Sequence, residues 1–155
     1  MERVTFTIRT ADWDEPEGVV LRLAQRAELD ARYGRDDHEP GPKPTAADID
    51  VYLIAVDDES GDAIACGALR RLEDGVAEIK RMYVRPENRG SGVATAVLRA
   101  LENEAVSHGW RTLRLETGTE QPDAIRFYTR EGYHEIDLFG YYVDSDLSVC
   151  FERSL

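Results

Sequence analysis

Cysteine is scarce in this chain. Cys66 and Cys150 stand in separate apolar, strand-like runs with no C-x-x-C spacing, so a disulfide framework and a thiolate metal site are both disfavoured and buried reduced thiols are expected. No signal-peptide pattern and no apolar run of membrane length is present, which makes the cytoplasm the expected location and argues against membrane insertion. Basic residues are also few. Nineteen Lys and Arg face 31 Asp and Glu, a net charge of -12, which argues against nucleic-acid and anionic-membrane partners and favours cationic ones. G-K-[ST] and G-x-S-x-G are absent, excluding a P-loop and removing the usual signature of a serine hydrolase.

What is present is a chain of 155 residues, the size of one domain with one core, and residues 1–155 are taken as a single unit. Its charge is uneven. Residues 1–78 hold 9 basic and 19 acidic side chains, whereas residues 79–99 hold Lys80, Arg81, Arg85, Arg89 and Arg99 against Glu87 alone. That basic island surrounds the stretch E-I-K-R-M-Y-V-R-P-E-N-R-G-S-G-V-A, residues 78–94. An apolar strand ended by Pro86 runs there into a glycine-bearing loop and then a helix carrying Val93, Val97, Leu98 and Leu101. Unpaired N–H groups and the positive end of a helix dipole suit a phosphate, and glycine lets the backbone approach it closely. Ile79 and Met82 are three apart, whereas Met82 and Val84 keep a period of two, so a β-bulge near Lys80 or Arg81 is expected.

In order, the pattern predicts a strand at 4–8 and an amphipathic helix presenting Val20, Leu23, Ala24, Ala27 and Ala31. A breaker-rich loop at 33–44 follows, with a substrate-side role. An antiparallel meander ends near Val84, and the loop then leads into a helix over roughly 91–108. A strand at 112–117 lies across a helical crossover and is therefore parallel to the meander's last strand. A helix opened by Pro122 and strands at 133–138 and 147–153 complete the chain, and the last of these could lie at a sheet edge and pair across a homodimer. The fold class is α/β (α+β), a mixed, mostly antiparallel sheet with a splayed parallel pair and helices on both faces.

Arg89, Gly92 and Ala94, matching Q/R-x-x-G-x-G/A after a bulged strand, resemble the GNAT superfamily of acetyl-CoA-dependent N-acetyltransferases. Ala124-Ile125-Arg126-Phe127-Tyr128 with Glu131-Gly132-Tyr133 resembles that family's later helix. Together the two segments extend the likeness from about residue 50 to the end. The resemblance implies acetyl-CoA as co-substrate, with no metal. The backbone of Met82, Tyr83 and Val84 would pair with the pantetheine amides. Arg89, Gly90, Ser91, Gly92, Val93, Ala94 and Thr95 would hold the pyrophosphate, and Gln121 would stand where many relatives carry asparagine.

Chemistry on an amine needs a base and help for the leaving thiolate. By its motif position Tyr128 is the candidate acid. Glu78 matches the place where some family members put the base, and Glu116, at the end of the parallel strand, is the reserve. For the acceptor, Tyr33, Glu39, Glu116 and Tyr141 are candidate contacts, with Asp36, Asp37 and Glu39 expected to draw in a cationic amine of a small molecule or peptide. The expected function is direct acetyl transfer in a ternary complex. The alternative is a non-catalytic acyl-CoA-binding sensor or interaction module.

Overall fold

The computed structural model describes residues 5–35 and 39–155. The elements are β1 (Phe6–Thr10), α1 (Pro16–Tyr33), β2 (Val51–Asp57), β3 (Ala63–Glu73), β4 (Val76–Val84), α2 (Val93–Ser107), β5 (Thr112–Gly118), α3 (Pro122–Arg130), β6 (His134–Ile136) and β7 (Ser148–Ser154). The strands form one sheet in the order β1-β2-β3-β4-β5-β7-β6, antiparallel except where β4 lies beside β5. β7 pairs on both sides, with β5 and with β6, so the closing strand is interior and does not offer the free edge expected of it.

Alternation along β2 divides the core. Val51, Leu53 and Ala55 join Val97, Leu98 and Leu101 of α2 on one face, and Tyr52 and Ile54 join Leu21 of α1 on the other, because successive strand side chains point to opposite sides. Each fully buried Val or Leu contributes about 1.5–3 kcal/mol before ordering costs. Helix α1 turns a different side inward from the one its alanines suggest. Gly18 and Leu21 are buried, whereas Val20 and Leu23 are 52% and 64% exposed. Tyr52 sets this rotation, since a Cβ on Gly18 would lie 2.5 Å from its ring.

The expected bulge is present. Cys66 faces Tyr83 and Ala68 faces Lys80, so Gly67 alone opposes both Arg81 and Met82. Arg81 takes up the extra residue with φ 58°. Ile79 before the bulge and Met82 and Val84 after it pack on the α2 face, while Tyr83 packs on the α1 face. Gly67 leaves room for this crossing, because a Cβ there would lie 2.7 Å from Met82 Sδ and 2.8 Å from Leu101 Cδ1. Pairing between β4 and β5 ends at Ile79 opposite Leu115. Beyond it residues 80–84 and 116–118 part, and a cleft opens between them.

Candidate active site

Two neighbouring cavities fill this cleft. The larger, about 410 Å³, runs along β4 after the bulge and over the start of α2. The smaller, about 110 Å³, lies between the splayed strands. Gln25, Leu29, Met82, Gln121, Ala124 and Tyr128 line both and so mark where they meet.

The lining of the larger cavity suits a phosphate-bearing ligand. Gly92 begins α2 with φ 91° and no side chain caps the helix, so the first-turn N–H groups are open to an anion. A Cβ on Gly90 or Gly92 would meet nothing within 4 Å; glycine is needed there for its positive φ, which L side chains rarely adopt. Every residue expected to hold the coenzyme lines this cavity except Ser91, whose hydroxyl donates to Asn88 O at 2.6 Å. Of the basic island only Arg89 reaches it. Arg85 donates to Ala63 O, and Arg99 pairs with Glu102 and Glu131 behind α2. Arg32 of α1 and Arg130 of α3 supply the further positive charge. Where the strands part, Gln25 Nε2 donates to Met82 O at 2.8 Å. Gln25 Oε1 is buried with no partner, an acceptor that a ligand amide N–H would satisfy.

The smaller cavity holds the titratable groups. Burial above all pushes the Glu116 carboxyl up to about 7, against the opposing pull of the Ser148 hydroxyl and the Lys80 charge. Ser148 Oγ donates to Glu116 Oε2 at 2.6 Å. Glu39 shows the opposite balance: burial raises its pKa, but the charges and hydrogen bonds of Lys80 and Arg81 outweigh that and hold it at about 2. Lys80 Nζ donates to Glu39 Oε1 at 3.0 Å and an Arg81 guanidinium N–H to Oε2 at 2.7 Å. Glu39 was expected to face an incoming ammonium; its charge is instead spent on two cations of its own chain. Asp36 and Asp37 lie outside the described residues.

Tyr33 lines this cavity, over Gly118, where a Cβ would fall 1.4 Å from its hydroxyl oxygen. Tyr128 is 7% exposed, and burial raises its phenol above the ordinary range.

Glu78 does not line either cavity. It is fully buried, with Oε1 held by Arg70 Nε at 3.0 Å and Nη2 at 2.8 Å, and Oε2 accepting from the Tyr142 hydroxyl at 2.6 Å. Its partner across β5 is Arg114, inside the paired ladder, whereas Glu116 lies just past the ladder's end. That one step decides which carboxylate meets the cleft. Tyr141 also departs from expectation. It is 59% exposed and rests on Gly41, because its 3₁₀ turn, Gly140–Tyr142, gives the inward place to Tyr142. Gln25, Lys80, Arg81, Gly118 and Ser148 escaped sequence reasoning; only the charge of Lys80 and Arg81 was visible, and it was assigned to the phosphate loop.

The model of the acetyltransferase (GNAT) family matches residues 8–133. An IAA acetyltransferase of Azospirillum brasilense is 36% identical over 105 residues, 67% of each chain. The solved structure of an acyl-CoA N-acyltransferase of Klebsiella pneumoniae superposes with a TM-score of 0.83 at 32% identity, covering 97% of this chain and 98% of its own. A GNAT acetyltransferase of Elizabethkingia anophelis, solved with acetyl-CoA bound, shares the fold at TM-score 0.71 and 16% identity, covering 97% and 98%. Among the described residues no helix is long and apolar enough to cross a membrane.

Proposed function

The chain belongs to the GNAT acetyltransferase family, and from that premise we propose that it transfers the acetyl group of acetyl-CoA to a primary amine of a small molecule or peptide by direct attack in a ternary complex. The observation that carries this reading is Glu116, a carboxyl poised at about 7 in a small cavity that shares Tyr128 with the larger one beside it.

Acetyl-CoA supplies the acetyl group as a thioester. The chain's own residues supply position and protons. First-turn N–H groups of α2 with Arg89, Arg32 and Arg130 hold the phosphates, and the open edge of β4 with Gln25 receives the pantetheine amides. An amine arriving as ammonium must lose a proton before attack, and Glu116, partly ionised near neutral pH, is the base that takes it. Tyr128 keeps its proton and offers it where the thiolate departs. Glu78 anchors Lys80 through Tyr142, whose hydroxyl accepts from Lys80 Nζ at 2.9 Å. Direct attack is favoured because no cysteine is placed to carry the acetyl group. Burial raises both Cys66 and Cys150 to about 11, and neither lines the cleft.

The test is to measure thermal stabilisation by coenzyme A and then follow free-thiol release with acetyl-CoA and a panel of amines. Stabilisation with amine-dependent thiol release is expected. Stabilisation without turnover of any amine would leave the binding module, and no stabilisation would remove the coenzyme assignment.

A further inference from the structure

We propose that the acceptor carries a small oxyanion beside its amine, and that Lys80 and Arg81 bind that oxyanion at the place held by the Glu39 carboxylate. The proposal rests on the acetyltransferase reading and names the class of its amine. In the structure the two oxygens of one carboxylate are divided between two cations, Oε1 on Lys80 Nζ at 3.0 Å and Oε2 on Arg81 at 2.7 Å. All three side chains line the smaller cavity together with Glu116. A small oxyanion on a ligand would make the same two contacts.

The charges of the site favour an anion there. Glu78 is already matched, by Arg70 on one oxygen and Tyr142 on the other; it lies 3.8 Å from Lys80 Nζ and is shared between two cations. With Glu39 displaced, Arg70, Lys80 and Arg81 would stand as three cations against Glu78 and a Glu116 that burial keeps partly protonated. An uncompensated buried cation is costly, so the pair selects an anionic occupant. The two cations are fixed in the sheet. Glu39 reaches them from the connection between α1 and β2 through its side chain, which makes its carboxylate the exchangeable member.

The backbone of Arg81 is a separate observation. Its φ of 58° is the one positive value among the described non-glycine residues, and glycine or asparagine would hold such a bend at lower cost. Strain kept at a residue whose guanidinium lines a cavity points to a use for the side chain. Lys80, Arg81 and Glu116 line one cavity of about 110 Å³, so an oxyanion on the two cations and an amine at Glu116 belong to one small molecule.

The experiment compares propylamine, ethylenediamine, β-alanine and aminoethylphosphonate by thiol release, and titrates the last two calorimetrically into protein saturated with coenzyme A. The expected result is a kcat/KM for β-alanine or aminoethylphosphonate about tenfold or more above that for propylamine, as charge-assisted contacts allow. The better of the two identifies the oxyanion as carboxylate or phosphonate. Arg81→Asn, which tolerates the left-handed bend, should cut the ratio of anionic amine to propylamine by about tenfold, and Glu39→Gln should lower KM for the anionic amine. Lys80→Met is the second variant, with the coenzyme A thermal shift reporting that each is folded. Preference for propylamine or ethylenediamine, a ratio unmoved by Arg81→Asn and Lys80→Met, or a raised KM in Glu39→Gln would overturn the proposal. So would failure of both anionic amines to bind or react while other amines are acetylated. Absence of any turnover and of any coenzyme A shift would instead overturn the acetyltransferase reading on which it stands.

Discussion

Ser148 Oγ lies 2.6 Å from Glu116 Oε2 and ties the start of β7 to the end of β5 at the point where the cleft opens. This bond favours the ionised carboxylate, while burial disfavours it more strongly. The pH dependence of kcat/KM should therefore show an acidic limb near the Glu116 value of about 7. Ser148→Ala removes a contact that lowers that value, so the limb should move to higher pH. A limb that stays in place would separate it from Glu116.

Glu116→Gln should reduce turnover by about 10² to 10⁴, the usual worth of a general base, and should also stabilise the protein. The folded-state value of about 7 lies above the reference of 4.5, so the folded protein holds this proton more tightly than the unfolded chain. The resulting stability is fully present below the reference value and is lost as pH rises through about 7. At mildly alkaline pH the neutral variant should be more stable, by up to about 3 kcal/mol, with the gap closing toward acid. Thermal melts across pH would show it; equal melting points at alkaline pH would contradict the burial argument.

Tyr128→Phe removes a hydroxyl and little volume at a residue that lines both cavities. Turnover should fall by about 10² to 10⁴ with the affinity for coenzyme A nearly unchanged. Unaltered single-turnover rates would take Tyr128 out of the chemistry.

Gly118→Ala should act first on the acceptor side, because the new methyl overlaps Tyr33 far more deeply than it crowds Gln121 Nε2, at 2.9 Å. The added methyl would fall 1.4 Å from the Tyr33 hydroxyl oxygen, so Tyr33 must leave its place in the smaller cavity. Clearing that overlap moves the Tyr33 hydroxyl by more than about 1 Å, a misplacement that can cost about 10²-fold in rate. The coenzyme A thermal shift should persist while kcat/KM for the amine falls. Loss of both together would show that the substitution disturbs the sheet.

Ala94→Glu places a negative charge in the first turn of α2, where the phosphates are held. A ligand at about 100 times its dissociation constant stabilises by roughly 2.7 kcal/mol, and this variant should forfeit that gain. Calorimetric heat equal to that of the parent would move the phosphate site elsewhere.

Local sequence determined what local stereochemistry can encode. The break in period between Ile79 and Met82 forced a bulge, because residues three apart cannot share a strand face. Gly90 and Gly92 permitted the positive φ values that start α2, and Pro122 opened the helix that carries Tyr128. Only the tertiary structure decided how charge was shared out. Glu78 and Glu116 lie on the same side of the sheet, but Glu78 falls within the paired length of β4 and β5, under Arg70 and Tyr142, and Glu116 falls beyond it. Lys80 and Arg81 adjoin the phosphate loop in sequence, yet the bulge turns them toward the other cavity and onto Glu39. Gln25 meets Met82 across 57 positions and Ser148 meets Glu116 across 32. Such partners follow from how helices and strands pack, and no short-range pattern in the chain records them.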